Sequence, residues 1–314
     1  MSPLRTPPRL AAPSLLVLLV LLVLLLAARP AGAQSVGDAV VLPSRFGYAM
    51  VEYGLDRWDR YWEGTRLRSN ANVGTLTTRT VGVGVGYGLT DRLTVVASLP
   101  YVSTEASRGV LQGMSGMQDL TVALKYRALR TRTAGGTLVQ GLVVAGAAAP
   151  TTDYTPDFLP MSIGLASRRA LARAAVRAEG RAGWFVDGGL GHTWRSTVTL
   201  DRPAYYTDGR LVLSDEVAMP DVVDWSAAAG WQARGVRVPV GVSGQRTLGG
   251  GDIRRQDMPF VSNRMDFTRV HAQVAYQIPR VMLDVHVGGS RIVAGRNVGR
   301  STQLVAGVVG GFRH

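Results

Sequence analysis

Two neighbouring segments within residues 80–102 alternate apolar residues with small or polar ones over an unusual length. Their apolar sides carry Val81, Val83, Val85 and Tyr87 in the first segment and Leu93, Val95, Ala97, Leu99 and Tyr101 in the second. A period of two predicts β-strands, and residues 88–92 between the segments predict a tight turn. Strands of this length exceed the usual five or six residues of soluble proteins and match the about 9 to 11 tilted residues that cross a bilayer. We therefore predict a membrane-spanning hairpin whose apolar side faces lipid.

The N-terminus has the pattern of a secretory signal peptide. Arg5 and Arg9 precede an unbroken apolar run over residues 15–28, and residues 31–33 are Ala-Gly-Ala, the small residues that a signal peptidase reads. The run is shorter than the about 20 residues of a membrane-spanning helix. We expect a signal peptide over residues 1–33, with cleavage after Ala33, and a mature barrel over residues 34–314. The alternative is an uncleaved membrane anchor.

Composition limits the classes of protein to which an exported chain like this one can belong. The sequence has no Cys, which excludes a disulfide framework and a lipid-anchored mature terminus. No apolar run after the signal region approaches the length of a spanning helix, so the mature chain is either soluble or crosses a membrane as strands. The formal net charge is +13, but no basic cluster has interleaved aromatic residues, so we expect no nucleic-acid partner. A positive surface can instead face the phosphates of lipopolysaccharide in the outer leaflet, or steer anionic solutes toward a pore.

The same alternation recurs along the mature chain and predicts an all-β fold, a transmembrane antiparallel β-barrel of about 12 strands, with 14 as the alternative. Short turns between strands two and three, four and five, eight and nine, and ten and eleven separate longer loops, as in bacterial outer-membrane barrels. Both termini then lie in the periplasm. Residues 167–178 form strand six by position, although their Arg and Ala content also suits a helix. The longest loop, residues 198–221, contains Asp208-Gly209 and predicts an external hairpin.

Three further patterns bear on the barrel wall. In strand one, Phe46, Tyr48 and Met50 share a face. Gly82, Gly84, Gly86 and Gly88 form a stripe of small residues that leaves lumen space or lets a loop or N-terminal plug approach the wall. Pro279 marks a short turn, because proline cannot donate to a strand ladder. Aromatic girdles are predicted near the strand ends at Tyr87, Tyr101, Tyr126, Trp184, Trp194, Trp225, Trp231 and Tyr276.

Ionisable residues fall on the inward-facing positions of the predicted strands. They are Asp119, Lys125, Arg127, Asp187, Arg195, Asp224, Arg237, Arg269, His271, Asp284 and His286. Such residues either form a selectivity path for solutes or pair with one another and hold the barrel rigid. Small barrels are often filled by side chains, which favours the structural role.

Catalytic and metal chemistry find little support in the sequence. His271, Asp284 and His286 are close in the predicted hairpin, but four histidines without Cys or regular ligand spacing do not predict a metal site. An outer-membrane lipid hydrolase needs a Ser, a His and an orienting partner together, and no matching motif surrounds His192 or His271. We therefore expect no cofactor, no catalytic residue and no enzymatic activity.

Several motifs resemble a known family. They are Tyr-Gly-Leu-Thr-Asp-Arg-Leu at 87–93, Ser-Leu-Pro-Tyr at 98–101, Asp119-Leu120 and Leu-Lys-Tyr-Arg at 124–127, with weaker matches at 183–187 and 191–195. These are similar to the outer-membrane transporter proteins named for the MetA pathway of phenol degradation. That family commonly has Gly where this chain has Gln118.

The resemblance implies a channel of the Gram-negative outer membrane for passive passage of small, including hydrophobic or aromatic, molecules. A structural or adhesive barrel without transport is the alternative, and a lipid hydrolase is a further one. The expected partners are outer-membrane lipid and lipopolysaccharide, a small-molecule solute, and the barrel-assembly machinery. The last recognises C-terminal alternation ending in an aromatic residue, here Leu304, Ala306, Val308, Gly310 and Phe312, displaced by Arg313 and His314.

Overall fold

Twelve long antiparallel strands close into one barrel in the computed structural model. They are β1 (Phe46–Trp58), β2 (Leu76–Thr90), β3 (Leu93–Ala106), β4 (Asp119–Arg132), β5 (Leu138–Pro150), β6 (Arg169–Glu179), β7 (Trp184–Arg195), β8 (Val222–Ala233), β9 (Val236–Thr247), β10 (Asp266–Ile278), β11 (Leu283–Arg296) and β12 (Thr302–Arg313). Each strand pairs with the next along the chain, and β1 pairs with both β2 and β12. Closure removes the free edges of the sheet, as a membrane-spanning sheet requires. The predicted count of about 12 strands is confirmed.

The structure describes residues 37–207, 209–254, 259–278 and 281–314. The predicted signal peptide over residues 1–33 lies outside these ranges, as do Asp208 and Pro279 at two predicted turns. Within the described ranges, no helix has the length and apolar character needed to cross a membrane.

The connections alternate in length. Links of two to five residues join β2 to β3, β4 to β5, β6 to β7, β8 to β9 and β10 to β11 at one end of the barrel, which is the periplasmic end by the usual rule. The opposite, extracellular end carries longer loops at 59–75, 107–118, 151–168, 196–221 and 248–265, and a short one at 297–301. The predicted external hairpin is present, because Tyr205–Thr207 pairs with Arg210–Val212. Two more short ribbons, Arg60–Glu63 with Arg66–Ser69 and Val198–Thr199 with Glu216–Val217, extend other loop stems.

The outer face is apolar, as predicted. Val83 and Val85 of the opening hairpin are 42% and 48% exposed, while Val96 and Thr94 on the other face are buried. All the predicted girdle residues except Tyr87 are large exposed aromatics. Trp184 is the cross-strand partner of Trp231 near the short turns. The bilayer therefore meets Val, Leu and aromatic side chains, while smaller and polar side chains fill the interior.

β6 settles the ambiguity between strand and helix in favour of a strand. It pairs along its length with β5 and β7, and such pairing outweighs the helix propensity of Ala and Arg. Arg173 and Arg177 are buried on its inner face, and the intervening Ala174 and Val176 are exposed on the other face. β6 thus adds a column of arginines to the lumen.

The face of β1 that carries Phe46, Tyr48 and Met50 is the inner one. Phe46 and Tyr48 are buried in a cluster with Leu42, Met282 and Val309, against which Met50 packs. Tyr53, on the opposite face, is 46% exposed. The large side chains of β1 therefore fill the periplasmic end of the lumen.

Candidate functional site

The chain preceding β1 occupies the periplasmic part of the lumen. We call residues 37–45 the lumen segment. Ala39 packs against Leu142 and Ala175 of the wall. The backbone N–H of Leu42 donates to the hydroxyl of Thr94 over 2.9 Å, inside the barrel. The segment is therefore attached to β3, β5 and β6 of the wall.

An ion pair and a glycine fix the segment more closely. Lys125 Nζ lies 2.6 Å from Asp38 Oδ1, and the lysine side chain is fully buried. A Cβ atom added at Gly88 would overlap the carbonyl oxygen of Pro43. The last glycine of the predicted stripe thus allows the N-terminal plug to approach the wall.

A central cavity of about 440 Å³ lies above the lumen segment. Gly37 and Asp38 of the segment contribute to its lining. The strands contribute Met50, Glu52, Phe185, Asp187, Ser226, Ala228, Arg237, Pro239, His271, Gln273 and His286. The cavity therefore combines apolar surface with charged groups from both sides of the barrel.

An ion pair and a histidine–carboxylate hydrogen bond join strands around this cavity. His286 Nε2 lies 2.9 Å from Glu52 Oε2, and Arg177 Nη1 lies 3.0 Å from Asp187 Oδ2. Arg177 also lies 4.2 Å above the ring of Phe185, as a cation–π contact. These contacts tie β1 to β11 and β6 to β7, and they hold the side chains in one arrangement.

A second network occupies the extracellular half of the lumen. Asp119 accepts hydrogen bonds from Arg169 Nη2 at 2.8 Å and from the Tyr154 hydroxyl at 2.5 Å. Burial raises the pKa of Tyr154, so its hydroxyl stays a donor. The 151–168 loop is thereby attached to β4 and β6.

Three extracellular loops pack on one another at the outer end of the barrel. Their shared apolar cluster consists of Val198, Leu200, Val217, Met219, Phe260 and Val261, with Leu159, Leu165, Ala166 and Tyr205 against it. The rings of Tyr205 and Phe260 are stacked with centroids 5.1 Å apart. The ion pair from Arg202 Nη2 to Asp157 Oδ2 at 2.6 Å joins two of the loops. We call this cluster the loop cap.

The polar residues predicted from sequence are distributed along the whole lumen. Asp187, Arg237, His271 and His286 line the central cavity. Lys125 bonds the lumen segment, and Asp119 bonds the 151–168 loop. Asp224 pairs with Arg173. Arg127 donates to Gln140, and Asp284 is buried beside Gln277 near the periplasmic end. Arg195 and Arg269 lie towards the extracellular end, Arg269 over the ring of Phe267.

Sequence reasoning did not identify five charged partners in these networks: Asp38, Glu52, Arg169, Arg173 and Arg177. The three arginines share parity along β6, opposite a face of Ala and Val, and this signal was available in the sequence. Asp38 lies in an aperiodic segment, so no pattern points to it. Among the described residues, no three His, Asp or Glu side chains form a group that could hold a metal ion.

Comparisons with known proteins agree with this architecture. The crystal structure of an outer membrane channel from Pseudomonas putida F1 is similar at a TM-score of 0.69 and 18% identity, over 90% of this chain and 100% of that one. The NanC porin gives a TM-score of 0.46 at 8% identity, over 83% of this chain and 98% of the porin. The first of these confirms the outer-membrane barrel fold. The chain has no match among curated proteins.

A family model described as "Putative MetA-pathway of phenol degradation" matches residues 32–306. The match runs from just before the lumen segment into β12 and thus covers most of the chain. The resemblance noted in the motifs is confirmed, and the chain belongs to this family.

Proposed function

We propose that this protein is a channel of the cell outer membrane for passive passage of small molecules, including apolar and aromatic ones. The observation that carries the proposal is the central cavity, which lies inside a closed membrane-spanning barrel and combines apolar and polar lining. Binding sites for small molecules commonly have this composition. The family description refers to phenol degradation, which supports aromatic solutes.

We assign five of the eleven polar lumen candidates a structural role. Asp119, Lys125, Asp187, Asp224 and His286 each pair with an oppositely charged or hydrogen-bonding side chain on another element or strand. Paired charges fix the wall and the lumen segment and leave little net field for selecting ions. The cavity residues Arg237 and His271 remain the candidates for contact with solute.

The export route follows from the same proposal. Residues 1–33 are a signal peptide removed after Ala33, and residues 34–314 form the mature barrel. Its outer surface contacts outer-membrane lipid and lipopolysaccharide. The alternating outward residues of β12, ending at Phe312, are the segment offered to the barrel-assembly machinery.

Reconstitution into lipid bilayers tests the channel. The purified barrel, shown to be folded by its heat-dependent gel mobility, should give conductance steps in a planar bilayer and pass small uncharged aromatics into liposomes. A folded barrel with neither conductance nor solute flux rejects the channel and favours the structural or adhesive alternative.

We also infer that the protein is not an enzyme. The cross-strand neighbour of His271 is Ser290, but the Ser290 hydroxyl donates to Gln303 at 3.3 Å. Both side chains face the lumen, where membrane phospholipids do not reach. Phospholipid hydrolysis that is lost in Ser290→Ala or His271→Gln would overturn this inference.

A further inference from the structure

We propose that the central cavity binds small carboxylates that carry an apolar ring or chain, and that Arg237 receives the carboxylate. The inference rests on the proposed function, because a solute reaches this cavity only through the channel. To the proposed function it adds the chemical class of one group of solutes and the residue that recognises these solutes.

Each acidic residue of the cavity has a partner, and for two of the three that partner is a permanent cation. Asp38 pairs with Lys125 at 2.6 Å, Glu52 with His286 at 2.9 Å, and Asp187 with Arg177 at 3.0 Å. A carboxylate held against a permanent cation presents little net charge to a solute. Asp38 and Asp187 are therefore not available to a cationic solute, and Glu52 accepts a hydrogen bond from His286.

Arg237 differs from these residues. Its side chain lines the cavity, and it makes no hydrogen bond or ion pair with any residue that the structure describes. Asp187 and Asp284 are its electrostatic neighbours, but Asp187 is bonded to Arg177, and Asp284 is buried beside Gln277 on the neighbouring strand. The five N–H donors of the guanidinium thus remain available to a solute.

Two more donors lie beside Arg237 on the next strand. The ladder between β9 and β10 pairs Arg237 with Ala275 and Gly241 with His271, so Gln273 lies between these pairs, opposite Pro239. His271 and Gln273 line the cavity, and their side chains also make no hydrogen bond within the described part of the chain. A carboxylate accepts several such bonds, and arginine binds it with two parallel ones.

The other sides of the cavity offer apolar contacts to the ring or chain of the same solute. Met50 of β1 and Phe185 of β7 belong to its lining, together with Ala228 and Pro239. A volume of about 440 Å³ lies within the range of small-molecule sites. Apolar surface and a cluster of donors in one cavity fit an amphiphilic anion better than an inorganic ion or a sugar.

The test compares three probes of one size: benzoate, benzamide and benzylammonium. Flux into liposomes is measured for the full-length mature barrel, for Arg237→Gln, and for the control Arg291→Gln, whose arginine is exposed on β11. We expect the wild type and the control to pass benzoate faster than benzylammonium. In Arg237→Gln this preference should fall by roughly tenfold, the usual worth of a charge-assisted hydrogen bond, while benzamide flux is retained.

The possible outcomes distinguish failure of the carboxylate site from failure of the channel. Flux of benzamide with no benzoate preference, or a preference unchanged in Arg237→Gln, overturns the carboxylate site and leaves the channel standing. No flux of any probe through the folded wild type overturns the channel.

A second variant allows the site to be tested even if Arg237→Gln does not fold. If Arg237→Gln gives no heat-modifiable barrel, Arg237→Lys keeps the charge but loses the paired hydrogen bonds. Calorimetric titration of the detergent-solubilised protein with benzoate should then show weaker binding than in the wild type, and equal binding rejects the role of Arg237.

Discussion

Lys125 Nζ on β4 lies 2.6 Å from Oδ1 of Asp38 in the lumen segment, and the lysine side chain is fully shielded from solvent. Because Asp38→Asn removes a carboxylate that neutralises a buried ammonium, it should destabilise the protein by about 3 to 5 kcal/mol. Thermal unfolding in detergent measures this. The double variant Asp38→Asn/Lys125→Met should recover part of the loss, and equal destabilisation by both would show that the pair is not coupled.

Gly88 tests whether the lumen segment obstructs the channel. In Gly88→Ala the new methyl group collides with the carbonyl oxygen of Pro43, so the segment must move. We expect a higher conductance and a destabilisation of about 1 to 3 kcal/mol, as for an overpacked site. The matched control is Gly82→Ala on the same strand, where the nearest atom, the carbonyl oxygen of Glu52, is 3.9 Å away. Equal conductance in both variants would contradict the obstruction.

Arg177 holds several groups of the barrel wall together. It pairs with Asp187 at 3.0 Å, donates to Gln232 at 3.1 Å and covers the ring of Phe185. Arg177→Met leaves Asp187 without its cation and should lower the free energy of unfolding by about 3 kcal/mol. Arg181→Met, in the exposed turn that follows β6, is the control and should change it by less than about 0.5 kcal/mol.

The extracellular loops should loosen in acid. Hydrogen bonds from Arg296 lower the pKa of Asp252, with a further contribution from Asn297, and both partners belong to the β11 end of the barrel. A lowered folded-state pKa means that this contribution is complete above the unfolded value of about 3.9 and is lost as the pH falls through the folded value. Protease cleavage within residues 248–265 should therefore increase below about pH 4. Asp252→Asn should show the increased cleavage already at neutral pH, and unchanged cleavage would contradict the role of the pair.

Processing of the N-terminus has a simple readout. The intact mass of protein purified from the outer membrane should correspond to a chain that begins at Gln34. Gly37 already lines the central cavity, so this cleavage leaves three residues before the described segment. A mass that includes residues 1–33 would contradict the signal peptide.

Features that repeat along a strand, such as the alternation of lipid-facing and lumen-facing side chains, were predicted most accurately from the sequence. The β2–β3 hairpin and its lipid-facing Val and Tyr residues follow from a period of two, because each strand must divide its side chains between lipid and lumen. β6 was harder to assign as a strand from the sequence. Its outer face consists of Ala and Val and its inner face is rich in Arg, a composition that also suits a helix.

Contacts between distant parts of the chain were beyond sequence patterns. Asp38 and Lys125 are 87 positions apart, and Glu52 and His286 are 234 apart. Closure of the barrel brings Glu52 to His286, and the entry of the lumen segment into the barrel brings Asp38 to Lys125. The inward direction of Tyr48 and Met50 likewise depends on Leu42 and Met282, which reach the same cluster from other segments.

The lumen segment precedes the first strand and is not a loop between two strands. An internal loop folded into a barrel is held at both ends, so withdrawing it strains the strands that flank it. The lumen segment instead joins the wall at Arg45, whose N–H donates to Gly88 and whose carbonyl accepts from His314. Its other described bonds to the wall use wall side chains, such as Lys125 to Asp38 and Thr94 to Leu42, so a substitution in this segment can be accommodated without breaking the hydrogen bonds between any two strands of the wall.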